Sequence, residues 1–344
     1  MAKKKNNNST LMVLMKGRTL IVLIILFIFF SIANPKFLQV TTLTLLAKHV
    51  ALYGILAIGM TFVIITGGID LSVGSVVGFT GMIAGGLIQE GLGVGNSTWY
   101  FSVPMIVIIS VLLGALIGWI NGVIISKFNV AAFIATLGTM YIFRGLANLR
   151  SGGATFSSLT GSEGLGNTGF KLIGGSIGIV PVGAIIFAIF AIIGSILLKK
   201  TPFGWHVLAI GGNEKSARLS GINADKVKIL VYVLSGVCAA VVGLINTSQL
   251  AAAHPASGDG WEMNAIAASV LGGTSMAGGS GTIGGTIIGA FVIGVINDGM
   301  TMMGVSEFWQ KIIRGLIIIL AVIFDQEQRK LEAKIALQTR NSTK

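Results

Sequence analysis

The stretch KKTPFGWHVLAIGGNEKSARLSGINADKVK, residues 199–228, is the longest clearly polar segment in the middle of a chain that is otherwise apolar. It holds six basic residues and only two acids, Glu214 and Asp225. Apolar segments of helix length lie on both sides of it. The stretch therefore divides the chain into a first helix block at 19–198 and a second at 229–324.

The composition indicates a membrane protein with many spans. Of the 344 residues, 53% are hydrophobic and only 10% are charged, and the mean hydropathy is +0.87. So little charge cannot cover a water-soluble surface, and the 49 glycines suit close helix packing in lipid. We predict an all-α polytopic membrane protein, with residues 1–344 forming a single transmembrane domain.

Ten apolar segments approach the ~20 residues that a membrane-spanning helix needs. With approximate edges they are 19–33, 45–66, 73–90, 103–125, 130–147, 178–198, 229–252, 263–274, 282–299 and 308–324. The first is short, and Ser31 and Ala33 resemble a cleavage site, so a signal peptide is an alternative to a first span.

Two of the ten segments are weak as full spans. Arg144 interrupts the segment at 130–147, and Asn264, Ser269 and a glycine pair interrupt the segment at 263–274. Broken segments of this kind either line a transport pathway or form short, tilted spans.

The distribution of basic residues predicts which side of the membrane each connection occupies. With the N-terminus inside, the cytoplasmic pieces are 1–18, 126–129, 199–228 and 325–344, and they hold 17 of the 24 Lys and Arg. This is the positive-inside bias, and it places both termini in the cytoplasm. The net charge of +12 is thus explained by basic residues on the cytoplasmic side of a protein embedded in membrane lipid. The sequence has no aromatic–basic pattern that would indicate nucleic-acid binding.

The sequence contains no recognisable catalytic, metal or nucleotide site. There is no G-x-x-x-x-G-K-[ST] motif for ATP, and the single cysteine, Cys238, excludes disulfides. The histidines His49, His206 and His254 fall at different predicted faces. We predict a protein that is not an enzyme and binds no cofactor or metal itself.

The glycine-rich stretch GGIDLSVGS connects the second and third apolar segments. Asp70 or Ser72 is expected to cap the third helix, and a gate or a partner contact is the alternative role. The gate candidates in this stretch are Gly67, Gly68, Asp70, Ser72, Gly74 and Ser75. A similar pattern, GGTSMAGGS, runs from Gly272 to Ser280.

Polar residues in or near the apolar segments are candidates for the solute pathway. The amides of Asn121, Asn246, Asn264 and Asn297 suit a polar, uncharged solute, although hydrogen bonds between helices are the alternative. Glu307, Lys311 and Arg314 recur at helical spacing and share one face, which makes them candidates for docking an external protein. Trp99, Trp205, Trp261 and Trp309 fall at predicted span ends, where interfacial aromatics belong.

Four stretches resemble the membrane permeases of bacterial ATP-binding-cassette importers of the ribose, xylose and galactose type. They are ITGGIDLSVGS (65–75), NGVIISKFNVAAFIATLGTMYIFRGLA (121–147), FGWHVLAIGGNEKSARLSGI (203–222) and AIAASVLGGTSMAGGSGTIGGTIIGA (265–290). The resemblance implies that 199–228 is a coupling loop whose short helix docks into an ATPase subunit. The residues carried over to that role are Gly211, Gly212, Asn213, Glu214, Ala217 and Gly221, while Ser216 stands where a second alanine is common.

The resemblance also implies the architecture and the partners. It implies a type II importer permease with ten helices in the bacterial cytoplasmic membrane, a homodimer, a separate ATPase subunit that binds the ATP, and an external sugar-binding protein. The implied cargo is a monosaccharide, ribose or a related sugar. Another small polar solute such as a nucleoside or a sugar-like signal molecule, an ion-coupled secondary transporter, and a membrane scaffold stay open as alternatives.

Overall fold

The computed structural model describes residues 19–342, without the side chains of residue 325 and residues 328–342. The predicted N-terminal piece 1–18 lies outside the described residues. Among the described residues, the helices that carry the predicted apolar segments are α1 (Thr19–Ala33), α2 (Val40–Ile65), α3 (Val73–Gln89), α4 (Val103–Lys127), α5 (Ala132–Leu149), α7 (Val182–Lys200), α10 (Ala224–Leu250), α11 (Trp261–Leu271), α12 (Ile283–Met302) and α13 (Glu307–Ser342). The connecting elements are α6 (Lys171–Gly174), α8 (Pro202–Gly212), α9 (Glu214–Leu219) and the 3-10 turns Pro35–Leu38 and Glu163–Leu165.

Among the described helices, six are long and apolar enough to cross a membrane, namely α2, α4, α5, α7, α10 and α12. The helices α1 and α3 are shorter and apolar, and α11 has only 11 residues. The helical, multi-pass class is thus confirmed. The count of ten spans and the cytoplasmic position of the termini stay predictions.

Helix α2 forms the centre of the helical layer. Its second half is buried without interruption from Leu56 to Ile65, because α7, α10, α11 and α12 pack around it. In contrast α4, α5 and α7 leave most of their large apolar side chains exposed or half-buried. Exposed apolar surface of this extent is what a lipid-facing helix presents.

The closest helix pair is α4 with α10. A Cβ atom at Gly118 would overlap the carbonyl oxygen of Tyr232, and one at Gly236 would overlap that of Gly114. The glycines let the two backbones touch. In lipid the hydrophobic effect does not hold helices together, so close van der Waals packing of this kind stabilises the pair. The pair α4–α10 therefore forms one rigid unit beside α2.

Contacts between helix ends define two faces of the layer. On the connector face, named for residues 199–228, Ile65 O accepts a hydrogen bond from Gly279 N at 2.9 Å, and Lys127 pairs with Asp225. On the opposite face, Arg150 pairs with Glu90 at 2.8 Å. The opposite face also carries two antiparallel hairpins, β1 (Leu92–Val94) with β2 (Ser97–Trp99) and β3 (Ser176–Ile177) with β4 (Val180–Pro181).

The first apolar segment is the packed helix α1. The ring of Phe30 lies directly over Gly299 of α12, and Thr19 Oγ1 donates to Leu271 O at 2.6 Å. After the helix, Asn34 Nδ2 donates to Met302 O at 3.0 Å. Contacts at both ends and in the middle make α1 part of the helical layer.

Candidate functional site

The connector contains two short helices, and polar side chains of the connector cap the start of each. Thr201 Oγ1 accepts from Gly204 N and begins α8. Asn213 is extended and breaks the chain after α8, and its Oδ1 accepts from Ser216 N at 2.9 Å to begin α9. The polar stretch 199–228 is thus more helical than its composition indicates, and its last residues already belong to α10.

The residues carried over for ATPase coupling have different environments. Gly211 is wedged against the backbone of Ile65, whereas Gly212 faces open space. Ala217 lies on the buried face of α9. Gly221 ends the α9 turn with a φ of 86°, a left-handed conformation that favours glycine. Of this set, Gly212, Asn213 and Gly221 are exposed, and Glu214 is half-buried.

Ion pairs fasten α9 to the start of α10 and the end of α4. Glu214 Oε2 lies 2.6 Å from Lys228 Nζ, and Glu214 Oε1 lies 2.9 Å from Arg218 Nη2. Arg218 also pairs with Asp225, which Lys127 of α4 approaches at 3.7 Å. Partial burial would raise the pKa of Glu214, but hydrogen bonds from Lys228 and Arg218 outweigh it and hold the pKa below its usual range.

The lowered pKa of Glu214 predicts a pH dependence for α9. When the pKa of a carboxylate is lower in the folded state than in the unfolded state, its ionised form stabilises the fold. That stability is fully present above the unfolded-state pKa, about 4.3 for a glutamate. It is lost as the pH falls towards the folded-state pKa. At pH 7, Glu214→Gln should therefore speed amide hydrogen exchange across α9 modestly, consistent with a contribution below ~1 kcal/mol for a half-exposed pair. This difference should shrink below about pH 4. The matched control is Lys215→Gln, because Lys215 is exposed and forms no ion pair among the described residues; equal exchange in both variants would contradict the role of Glu214.

Leu219 at the end of α9 is a residue that sequence reasoning missed. It is 83% exposed, next to charged side chains. This large apolar side chain is exposed within a stretch that is otherwise largely polar. The sequence shows only a leucine within a charged stretch, and its exposure became apparent only in the structure.

The stretch GGIDLSVGS leaves the connector face and enters the layer. Asp70 is fully buried; its Oδ1 accepts from the backbone N and the Oγ of Ser72 at 3.0 and 2.6 Å, and its Oδ2 accepts from Ser235 Oγ of α10 at 2.8 Å. Ser72 precedes α3 but makes no side-chain cap, so the expected cap of the third helix is wrong. The hydroxyl is instead bound to Asp70 and to Asn121 Nδ2.

The other gate candidates surround this cluster. Gly67 has a φ of 80° and makes the turn after α2, and Gly68 lies against the hydroxyl of Tyr232. Ser75 Oγ donates to Ser72 O at 2.7 Å. Gly74 lies against Gly258 and Glu262, which belong to the chain that follows α10.

A second segment enters the layer from the opposite face. After α10 the chain runs back along α3, with Ala253 beside Gly85 and Gly258 beside Gly74. Arg144 of α5 fixes this re-entrant segment, because its Nη1 donates to Pro255 O at 2.6 Å and to Ser257 O at 2.9 Å. The segment 251–260 thus packs along α3, the helix that the segment 66–72 leads into.

The similar glycine motifs 67–75 and 272–280 lie close together on the connector face. The link is the hydrogen bond from Gly279 N to Ile65 O, and Gly211 packs over it. Beneath it Thr61 Oγ1 of α2 lies 2.7 Å from Thr286 Oγ1 of α12. The connector helix α8 therefore rests on the end of α2, just before the first motif, and on the second motif.

Helix α11 begins deep in the layer rather than at its surface. The ring of Trp261 packs edge-on against Tyr53, with centroids 5.6 Å apart, and Tyr53 lies near the midpoint of α2. The interfacial position expected for Trp261 is therefore wrong. Helix α11 is a half-length helix that starts at the re-entrant segment, which explains why 263–274 is weak as a span.

A cleft of about 610 Å³ opens at the start of α11. It brings together one pathway candidate, Asn246, and all three docking candidates, Glu307, Lys311 and Arg314, with Trp261 between them. Glu307 Oε1 and Lys311 Nζ pair at 3.2 Å on its wall. Residues predicted separately as a pathway and as a docking surface thus line one cavity.

The remaining asparagines do not line this cleft. Asn121 belongs to the Asp70 cluster. Asn264 Nδ2 and Asn297 Oδ1 are buried and have no hydrogen-bond partner in the part of the chain that the structure describes. They lie on α11 and α12, helices that pack against each other.

Buried acids are deeper than the sequence pattern indicates. Asp70 is expected near a span end but lies beside Ser235, well inside α10. His49 Nδ1 and Asp298 Oδ1 form a part-buried pair at 2.7 Å between α2 and α12. Within residues 19–342, no group of three or more His, Cys, Asp or Glu could hold a metal ion.

Comparison with known proteins agrees with this architecture. Residues 42–322 match the family described as branched-chain amino acid transport system / permease component. The ribose import permease protein of Bacillus subtilis is 42% identical over 306 residues, covering 88% of this chain and 90% of that protein. The ribose import permease protein of Escherichia coli is 40% identical over 300 residues, covering 87% and 90%.

A xylose transport system permease protein of Haemophilus influenzae is 34% identical over 358 residues, covering 88% of this chain and 93% of that protein. No solved structure matches the chain significantly. Since the family match spans both helix blocks and the connector, the chain belongs to the branched-chain amino acid transport system / permease component family.

Proposed function

We propose that this chain is the transmembrane permease of an ATP-binding-cassette importer that carries a monosaccharide, ribose or a closely related sugar, into a bacterial cytoplasm. The observation that carries the proposal is the similarity of both helix blocks to the ribose import permeases, at about 40% identity. Because the sequence contains no nucleotide motif, the importer proposed here takes its ATP from a separate ATPase subunit.

Helix α9 is the proposed contact for the ATPase. It presents Leu219 to solvent, and ion pairs tie it to α10 and α4. Because α4 and α10 touch along glycines, a displacement of α9 moves both helices as a unit. Their motion reaches Asp70 through Ser235 and Asn121.

Alternating access follows from this connection. The segment 66–72 leads into α3, and the segment 251–260 packs along α3. Asp70, bonded to Ser235 of α10, holds the first segment, and Arg144 of α5 holds the second. We propose that these two segments are the inner and outer gates. An external binding protein can drive the change only by binding one state more tightly than the other.

The partners follow the same scheme. The cleft wall with Glu307, Lys311 and Arg314 is the proposed contact for a sugar-binding protein, and a second copy of the chain completes the pore. Both termini would then be cytoplasmic, and all ten apolar helices would lie in the membrane among lipids.

A second candidate is a proton-coupled secondary transporter. The pair His49–Asp298 inside the helical layer favours it, because buried ionisable pairs often serve as proton relays. The pair lies between α2 and α12, away from the connector, so this mechanism assigns no role to the ion-pair network of α9.

Changing Leu219 to aspartate tests the proposed ATPase contact. Burying a leucine contributes ~1.5–3 kcal/mol, so Leu219→Asp should weaken binding of the ATPase subunit at least about tenfold. ATP-driven sugar uptake should fall with it. Association is measured by titrating labelled ATPase onto the permease in nanodiscs.

Leu172→Asp is the matched control. Leu172 is 74% exposed but lies in α6, near the opposite face, so its substitution adds the same charge away from the connector. Both variants should melt like the wild type because neither side chain is buried. Unchanged ATPase binding by Leu219→Asp would show that α9 is not the docking helix.

A further inference from the structure

The cleft at the start of α11 is built like a solute-binding site. Pockets that recognise small molecules combine an aromatic wall with a few fixed polar groups. Here the indole of Trp261 forms the wall, Tyr53 holds it edge-on, and the amide of Asn246 lies at the cleft. The volume of about 610 Å³ accommodates a hydrated monosaccharide.

The environment of the Asn246 side chain also indicates a ligand. Asn246 is only 7% exposed and lines the cavity. Its side chain makes no hydrogen bond with the described residues, so water or a ligand in the cavity is left to satisfy the amide. A buried amide without partners is costly unless water or a ligand satisfies it. Its O and N atoms together can accept from one hydroxyl group and donate to another.

The charges of the cleft favour a neutral ligand. Two acids, Asp259 and Glu307, face two bases, Lys311 and Arg314. Glu307 and Lys311 pair with each other, and Arg314 Nε donates to Gln310 O at 3.2 Å. Such internally balanced groups leave no net charge for an ion, but their remaining donors and acceptors suit hydroxyl groups.

The position of the cleft places it on a route through the layer. Trp261 contacts Tyr53 near the midpoint of α2, and Glu307 lies at the start of α13 on the opposite face. The floor is the re-entrant segment, including Ser257 and Gly258. A polar cavity that reaches the middle of an apolar layer is the usual setting of a transported solute.

We infer that Asn246 and Trp261 bind the transported sugar directly, as a selectivity site within the permease. This inference rests on the proposed function and gives it a binding site. A neutral sugar ring packs its C–H face on the indole of Trp261, and its hydroxyl groups form hydrogen bonds with the amide of Asn246. Sugar selection is then shared between the binding protein and the permease.

The test measures sugar uptake and ATP hydrolysis in the same proteoliposomes, which contain the full importer and labelled ribose. Asn246→Ala should lower the sugar moved per ATP about fivefold, the change expected for one net hydrogen bond, and Trp261→Leu should lower it at least as much. Trp261→Phe, which keeps an aromatic contact with Tyr53, tests the same wall if the leucine variant does not assemble. Asn148→Ala is the matched control, because Asn148 is exposed on α5 and does not line the cleft.

The outcomes separate the site from the function. A lowered ratio in the Asn246 and Trp261 variants, with a normal ratio for Asn148→Ala, supports the site. If the wild type moves ribose and the ratio is unchanged in the cleft variants, or if uptake and hydrolysis fall in proportion, the site is overturned while the function stands. If the wild type moves no sugar at all, the proposed function fails, and the site fails with it.

Discussion

Replacing Gly211 by alanine is expected to abolish assembly of the folded permease or to lower its melting temperature by many degrees. A Cβ atom at this position would overlap the carbonyl oxygen of Ile65 and the amide of Gly279, which are hydrogen-bonded to each other at 2.9 Å. Overpacking against side chains costs ~1–3 kcal/mol, and backbone atoms yield less readily. The penalty should therefore lie at or above that range.

The neighbouring glycine supplies the control. Gly212 faces open space, so Gly212→Ala adds the same methyl group at the end of α8 without a clash and should leave stability almost unchanged. Yield of monodisperse protein and thermal melting in detergent measure both variants. Equal behaviour of the two would show that α8 does not rest on the junction between Ile65 and Gly279.

Replacing Asp70 by alanine is the second change with a large expected effect. The carboxylate accepts three hydrogen bonds, from the amide and hydroxyl of Ser72 and the hydroxyl of Ser235. Removing it leaves buried donors without an acceptor, at ~1–3 kcal/mol each. We expect a loss of several kcal/mol in total and loss of transport, measured by melting and by uptake in vesicles.

Asparagine at position 70 separates packing from coupling. Asp70→Asn keeps the shape and one acceptor oxygen, so it should be milder than alanine. Combined with Ser235→Ala, it should show non-additive stability and uptake, because the two side chains share a hydrogen bond. Additive effects would mean that Asp70 is not the link between the segment 66–72 and α10.

Much of the fold could be predicted because its signals are local. Each of the ten apolar segments coincides largely with one helix, since runs of apolar residues, glycine turns and basic ends act within a few residues. The helical content of the connector was harder to see. Helices α8 and α9 begin at Thr201 and Asn213. These two short polar side chains are inconspicuous in a stretch whose most obvious feature is its charge.

The depth of the two re-entrant segments could not be predicted. Glycine-rich polar stretches such as 67–75 and 255–260 read as surface turns, and Asp70 as an acid near a span end. Their burial depends on partners that are distant in the sequence: Ser235 for Asp70, and Arg144 for the segment before Trp261. The lone arginine in an apolar segment was the signal that pointed to such a contact.

The candidate site was predicted in pieces rather than as a whole. Asn246 and the group Glu307, Lys311 and Arg314 were singled out for different roles, and only the tertiary structure places them in one cleft. In the connector, Ala217 is buried and Leu219 exposed. Six residues of helix are too few for periodicity to decide which face points outward.

The ATP dependence of ribose uptake by vesicles containing this chain, its ATPase subunit and its binding protein tests the central claim most directly. The account predicts uptake that requires ATP inside the vesicles, persists with an uncoupler, and disappears in Leu219→Asp but not in Leu172→Asp. Uptake that continues without ATP and collapses with the uncoupler would contradict it and favour proton coupling through His49 and Asp298.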